Sequence, residues 1–327
     1  MSKLGVLAIV GPTGGGKSAL ALALAERLGG EIISCDSMQV YRRMNVGTAK
    51  PTEEEQRHVK HHLIDVVEPD VPFSCAEYVS LAAAAIEDCA ARGKLPILCG
   101  GTGLYLDALF RKNNFEPQTG DVSVREELRL MAEREGAEVL WQALNAVDPE
   151  SAAATHPNNV KRVIRALEIY RTCGVTKTEL DRRSRLGGDR YDACVIGLRY
   201  ADRDVLYHRI DNRVDQMLRD GLLEETKALL TEGVFEKNQT AAQAIGYKEL
   251  LPYCHGTQTL EEATETLKTA TRRYAKRQMT WFSAKEYVRW IDVGETGEKT
   301  FEEIVNNALR LFQSSGIYGK ISVDCLP

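Results

Sequence analysis

GPTGGGKS, residues 11–18, follows the apolar run VLAIV and precedes ALALALAERLGG. The run reads as a short strand buried on both faces, as in a parallel sheet covered by helices. The stretch after the loop reads as a helix stopped by Gly29 and Gly30. Between them, Gly11-x-x-x-x-Gly16-Lys17-Ser18 satisfies the Walker A pattern in the strand–loop–helix setting that pattern requires. Glycines let successive backbone N–H groups turn toward one anion, and the helix start adds a favourable dipole. Lys17 neutralises phosphate charge, and the Ser18 hydroxyl is suited to Mg²⁺.

Outward from this loop the alternation continues. EIISCDS is a second strand, HHLIDVVEP a third, and LPILCGG a fourth. Ser74 with Glu77 forms a capping box before the helix through AAAAIEDCAARG, and TGLYLDALF opens the next helix. This order predicts an α/β fold with a parallel sheet and helices on both faces.

The pattern changes near residue 111. From there to about 190 no segment reads as a strand, and VREELRLMAEREGAEVLWQAL and NNVKRVIRALEIYRTC read as helices. Residues 111–190 are therefore expected to form a helical insertion in a core made of 1–110 and 191–313. CVIGLRY returns as a strand, followed by one long helix through VLYHRIDNRVDQMLRDGLLEETKALL. Thr259 with Glu262 and Thr300 with Glu303 mark two more capping boxes, and VRWIDV is a last strand. The tail, 314–327, shows no period and is expected to be flexible.

Composition narrows the function. The chain has 327 residues and a formal net charge of −5, so it is no generic polyanion binder, and nucleic-acid contact must come from local basic patches. Its eight cysteines include no C-x-x-C pair, which suits reduced thiols in a cytoplasmic protein. Neither they nor the six histidines show metal-ligand spacing. No signal peptide is visible, and no run approaches the roughly 20 apolar residues of a membrane span.

The loop alone does not say whose phosphate it holds. A nucleotide hydrolase needs a Mg²⁺-binding carboxylate at a strand end and a group that places water. Asp36 ends EIISCD, yet it opens DSMQVYRRMNVGTAKP, a long polar and aromatic run, and LPILCGG ends in glycine. The phosphate can instead belong to a leaving group. Two further stretches carry charge. Arg209 and Arg213, four apart in RIDNRVDQM, share a helix face. In TRRYAKRQMTWF, Arg272, Arg273, Lys276 and Arg277 interleave with Tyr274, Trp281 and Phe282, a pattern for phosphates and bases that an amphipathic core helix also produces. Further basic clusters, KRVIR and RRSR, lie in the insertion.

The set GPTGGGKS, DSMQVY, GTAKP, HHLID, GGTGLY, HPNNVKRVIRALE, AIGYKEL and TRRYAKRQMTWF, in this order, resembles the bacterial tRNA dimethylallyltransferases. The resemblance implies a P-loop NTPase-like α/β core with a helical insertion. It implies transfer of a dimethylallyl group from dimethylallyl diphosphate to the exocyclic amine of an adenosine beside the anticodon, with Mg²⁺ as cofactor. Gly11, Pro12, Thr13, Gly14, Gly15, Gly16, Lys17 and Ser18 would hold the diphosphate, Arg213 would assist, and Ser18 would meet the metal. Asp36 would be the general base, with Thr102 beside it. The anticodon stem-loop would meet Asp36, Ser37, Met38, Gln39 and Thr102, then Arg125, Lys161, Arg162, Val163, Ile164 and Arg165. It would also meet Gln243, Ala244, Ile245, Gly246, Tyr247 and Lys248. A cytoplasmic monomer is expected. The rivals are an adenylate isopentenyltransferase, which needs neither insertion nor basic helix, and a P-loop ATPase or RNA-binding switch, which predicts ATP hydrolysis.

Overall fold

The structure, a computed structural model, describes residues 3–111, 122–186, 188–293 and 300–317. Two compact units result, one from Met1–Leu109 with Tyr191–Pro327 and one from Phe110–Arg190.

The first unit is built on six parallel strands: β1 (Gly5–Val10), β2 (Gly30–Ser34), β3 (His61–His62), β4 (Leu95–Cys99), β5 (Asp192–Arg199) and β6 (Val288–Asp292). Their order is β3-β2-β4-β1-β5-β6. β1 is central, paired with β4 through Leu7–Ile97 and with β5 over its whole length. Every residue of β4 and five of six in β1 are buried, as their unbroken apolar runs require. The helix Lys17–Leu28 follows β1 and ends on Gly29 in the left-handed conformation, φ 60°, where the missing Cβ removes the steric cost. One face of the sheet packs Leu20, Leu24 and Leu28 with Val305, Ala308 and Phe312 of the helix Phe301–Gln313.

The capping boxes at Ser74, Thr259 and Thr300 form with both reciprocal hydrogen bonds. A fourth, Thr52 with Glu55, starts the helix Glu53–His58. Its T-x-x-E signal is equally visible in PTEEEQ.

Three expectations are corrected. HHLIDVVEP is not a full strand. Only His61 and His62 pair with β2, because Leu63 and Asp65 adopt φ of 62° and 55° and turn the chain off the sheet. Val66 and Val67 then donate to the Val40 carbonyl instead. The long helix after β5 is two helices, Arg203–Arg219 and Leu222–Thr231, broken at Gly221 with φ 97°. The tail does not begin at 314: Ile317 is buried in the core cluster against β1. Residues 318–327 lie outside the described residues.

The second unit is helical among its described residues. Val122–Glu135, Ala137–Val147, Pro149–Ala153, Val160–Cys173 and Lys177–Leu186 gather around Leu128, Leu140, Leu144, Val163 and Leu167. An antiparallel bridge, Arg111 to Asp189, closes its base. Asp148 caps Pro149–Ala153 through the Ser151 N–H and also accepts from Thr178.

Candidate active site

In a parallel sheet the loops leaving the carboxyl ends of the strands gather on one edge, and ligands bind there. β1 delivers the 11–18 loop to that edge, β2 delivers Asp36, and β4 delivers Gly101 and Thr102.

The 11–18 loop curls around its own carbonyls. Gly15 N–H donates to Pro12 O, and Lys17 Nζ donates to the same oxygen at 2.6 Å. Gly11, Gly14 and Gly16 have φ of 134°, 73° and 89°. The turn needs glycine at these points, since L side chains are strained there. A cavity of about 370 Å³ opens against it, lined by Gly14, Gly16, Lys17 and Ser18 and, from the helix Arg203–Arg219, by Arg209 and Arg213. Arg209 donates to the Gly14 carbonyl at 3.2 Å and lies over the Tyr200 ring. The walls are thus N–H groups, an ammonium and two guanidinium groups, a donor set for a polyphosphate.

Burial moves the pKa values here, and the neighbouring charges modulate them. Burial pulls Lys17 down to about 8; Cys99 and Asp36 oppose this and Arg213 adds to it. Burial also lowers Arg213, with Asp36 opposing and Arg209 adding. Lys17, Arg213 and Asp36 therefore share one electrostatic neighbourhood. Burial pushes the Cys35 and Cys99 thiols up to about 12 and about 11, so both flank the site as neutral thiols, not nucleophiles.

Asp36 begins the turn after β2. Its Oδ1 accepts from the N–H groups of Met38 and Gln39, at 2.8 and 3.4 Å. That is a capping turn, but it uses one oxygen; Oδ2 takes none of the described hydrogen bonds. Thr102 does not cap its own helix with its hydroxyl. Instead Oγ1 accepts the Ser37 N–H at 3.2 Å, tying the β4 loop to the β2 loop. Burial pushes the Tyr274 phenol of the helix Leu260–Ser283 up, and the Asp36 charge adds to it, so Tyr274 lies beside Asp36 and Thr102.

The rest of DSMQVYRRMNVGTAKP is a folded scaffold. Gln39 Nε2 donates to the carbonyls of Thr48 and Ala49, and Lys50 Nζ to Tyr41 O, Asn45 Oδ1 and Asp65 Oδ1. The Glu225 carboxylate accepts from the N–H groups of Asn45, Val46 and Gly47. Sequence reading missed Glu225, since LLEET carries no local signal for it.

A second cavity, about 550 Å³, is lined by Ile245, Lys248, Arg273 and Arg277 together with Glu249 and Glu265. Lys276 and Gln243 are exposed. Arg272 is ion-paired to Asp211 at 2.6 Å, so it serves first to join two helices. In the insertion, Lys161 and Arg162 are exposed, while Arg125 and Arg165 both bond the buried Glu168. Of RRSR, Arg182 pairs with Glu150 and Glu179, and the side chains of 183–185 lie outside the described residues.

Five of the residues expected at the RNA are buried or closely packed. Val163 and Ile164 belong to the core of the helical unit. Ala244 and Tyr247 are buried too, and Gly246 is packed against Gly47. The four side chains among them pack against neighbours.

At the other end of β2, Glu31, His62 and Cys89 bring three ligand-type atoms within 4.8 Å. Arg92 forks onto Glu31, and His62 Nε2 lies 2.7 Å from it. Those bonds hold the Glu31 carboxyl down at about 2, Arg92 foremost. The network is charge-balanced and binds β2, β3 and the helix Cys75–Ala91 together. Among the described residues, no helix is long and apolar enough to cross a membrane.

Comparison with known proteins agrees with this geometry. Residues 39–285 match the family model described as IPP transferase. The chain is 49% identical over 295 residues to the tRNA dimethylallyltransferase of Bacillus subtilis, covering 89% of this chain and 92% of that protein. It is 50% identical over 291 residues to that of Geobacillus thermodenitrificans, covering 88% and 90%. The full-length tRNA isopentenylpyrophosphate transferase of Bacillus halodurans superposes with a TM-score of 0.71 at 44% identity, covering 98% of both chains. A eukaryotic dimethylallyltransferase acting on tRNA superposes with a TM-score of 0.81 at 31% identity, covering 95% of this chain and 80% of that one. With the family model spanning most of the chain and relatives near half identity along nearly all of it, this chain belongs to the IPP transferase family.

Proposed function

We propose that this chain transfers a dimethylallyl group from dimethylallyl diphosphate to the exocyclic amine of the adenosine 3′ to the anticodon in tRNA, releasing diphosphate. The observation that carries this reading is the meeting, at the carboxyl edge of the sheet, of Lys17 from the loop after β1, Asp36 from the turn after β2 and Arg213 from the helix Arg203–Arg219. Anion-binding groups and a carboxylate lie together, as an allylic displacement needs.

The amine nitrogen attacks the first carbon of the dimethylallyl group. The carbon–oxygen bond breaks, and its electron pair leaves on the diphosphate. The 11–18 loop N–H groups, Lys17 and Arg213 stabilise that charge where it develops. The adenine amine is a weak nucleophile because its lone pair is delocalised into the ring. Asp36, with Oδ2 outside its own turn, takes the proton as the bond forms. Thr102 and Tyr274 hold the adenine side of the site. The hydroxyl of Ser18 on the cavity wall fits Mg²⁺ and would hold it beside the diphosphate. The metal would supply charge neutralisation for the leaving group.

An RNA acceptor is favoured over free AMP by the cationic side chains of the basic helix and of the insertion. Lys248, Arg273, Lys276 and Arg277 of the first unit would meet phosphates, as would Lys161 and Arg162 of the second. A base in an RNA loop is accessible to such chemistry once it is unstacked. The proposal includes a cytoplasmic monomer as the acting form.

Labelled dimethylallyl diphosphate is incubated with the protein and either whole tRNA or AMP, and ATP hydrolysis is followed in parallel. Label in tRNA alone supports the reading. Label in AMP identifies an adenylate prenyltransferase, and ATP turnover without transfer identifies an ATPase.

A further inference from the structure

The amide of Gln278 joins the two loops that face the reaction. Its Oε1 accepts the Thr13 N–H at 2.8 Å, and its Nε2 donates to the Gly101 carbonyl at 3.1 Å. Gln278 is 5% exposed, so these partners stand in for water. Thr13 sits inside the 11–18 loop, whose Gly14, Gly15, Gly16, Lys17 and Ser18 line the anion cavity. Gly101 precedes Thr102, whose hydroxyl holds the Ser37 N–H beside Asp36.

The fit is tight by construction. A Cβ at Gly101 would lie 1.9 Å from Gln278 Nε2, and one at Gly103 would lie 2.3 Å from the Trp281 ring. Two glycines of GGTG therefore admit the helix Leu260–Ser283. The amide accepts on one side and donates on the other. A carboxylate accepts twice, an ammonium donates only, and a thioether does neither usefully. One turn earlier on the same helix, Tyr274 lies near Thr102. On the same helix, Arg273 and Arg277 line the 550 Å³ cavity.

We propose that Gln278 is a positioning residue that locks the donor-phosphate loop to the Gly101–Thr102 loop through the basic helix. The diphosphate and the adenine amine are then held in one fixed register, set from the RNA-facing side. The assignment rests on the prenyl-transfer reading above, but its first consequence, the shape of the anion loop, does not need that reaction.

Gln278→Met and Gln278→Glu are compared with the natural protein in three measurements: calorimetric binding of inorganic diphosphate with Mg²⁺, anisotropy of a labelled anticodon stem-loop, and single-turnover prenyl transfer. Losing both bonds in Gln278→Met is expected to weaken diphosphate binding roughly 10-fold and to slow transfer roughly 10- to 100-fold. Gln278→Glu keeps the Thr13 bond but sets a carboxylate against the Gly101 carbonyl. It should slow transfer similarly while weakening diphosphate less. RNA affinity should stay within about twofold in both, which separates positioning from RNA contact.

Gly101→Ala is the second route if Gln278→Met does not fold. Its methyl displaces the amide and should reproduce the diphosphate and transfer losses in the Gln278 background, yet add little to Gln278→Ala. Diphosphate affinity and transfer rate within twofold of natural in folded Gln278→Met overturn the proposal. So does an RNA-affinity loss that accounts for the whole rate loss. If the natural protein binds diphosphate but labels no RNA, the prenyl-transfer reading fails, while the diphosphate series still decides the role of Gln278.

Discussion

The Glu225 carboxylate and the buried Tyr247 hydroxyl lie 2.6 Å apart, and the same carboxylate holds three consecutive N–H groups at Asn45, Val46 and Gly47. The Tyr247 ring fills the space a Cβ at Gly47 would need, about 2.5 Å away. AIGYKEL thus braces GTAKP from beneath, which is why Tyr247 has no face for RNA. Tyr247→Phe keeps the ring and removes one bond, so thermal unfolding should show a loss of about 1 kcal/mol. Glu225→Ala strips four donors of their acceptor and should cost about 1–3 kcal/mol, with tRNA-dependent activity falling further than stability alone explains. Equal stability of Glu225→Ala and the natural protein in chemical denaturation would remove this brace from the account.

Lys17 sets a pH dependence with a definite sign. Burial draws its pKa to about 8 in the folded protein, below its unfolded value. Between the two values the unfolded chain binds the extra proton, so the Lys17 contribution to stability rises with pH across that window. Diphosphate binding runs the other way, since it needs the ammonium. Affinity should be flat well below pH 8 and fall by up to about tenfold per pH unit above it. Calorimetry at three pH values, repeated on Lys17→Ala, tests this. The variant should lose the slope and turn over roughly 10²–10³ times more slowly. A slope that survives in the variant would assign the titration elsewhere.

Much of the fold was legible because its signals are local. VLAIV, GPTGGGKS and the helix after it declare themselves within 25 residues, and each capping box lies within one turn. The misreadings have physical causes. HHLIDVVEP is apolar enough for a strand, but apolarity does not reveal that Leu63 and Asp65 will take positive φ. Gly221 was a visible stop inside the supposed long helix, overridden by the period on either side. Val163 and Ile164 were placed at RNA by motif, although their spacing with Leu167 already marks a core face. Gln278 was not legible at all. Its partner Thr13 is 265 residues away, and nothing local pairs RQMTW with a glycine loop.

The basic helix divides into structural and surface cations. Arg272 is held by Asp211, whereas Arg273, Lys276 and Arg277 are exposed, with Arg277 also over the Tyr274 ring. Replacing Arg273 and Arg277 by Gln should lower the slope of log affinity for tRNA against log salt by about 0.7–0.9 per lost contact. Diphosphate affinity should not change. Arg272→Gln should instead lower the melting temperature, with the salt slope preserved. An unchanged slope in the double variant would leave this helix with a packing role only.

Asp36→Asn separates the three roles open to this carboxylate. The substitution preserves Oδ1, so the bonds from Met38 and Gln39 can persist and the turn after β2 should hold. It removes the basic oxygen that the capping turn leaves unused. If Asp36 takes the amine proton, single-turnover transfer should fall by about 10²–10⁴ with diphosphate affinity nearly intact. If it chiefly neutralises Lys17 and Arg213 or meets the metal, diphosphate affinity should change as well, and added Mg²⁺ should restore part of the rate. If it is only a cap, stability should drop by about 1 kcal/mol or less with transfer preserved. The neighbourhood argues for the first outcome. A carboxylate facing two cations would favour anion binding by its absence, so losing its charge should not weaken the diphosphate. Transfer rates and diphosphate affinity measured at two Mg²⁺ concentrations distinguish the cases, and a normal single-turnover rate in Asp36→Asn excludes the base role.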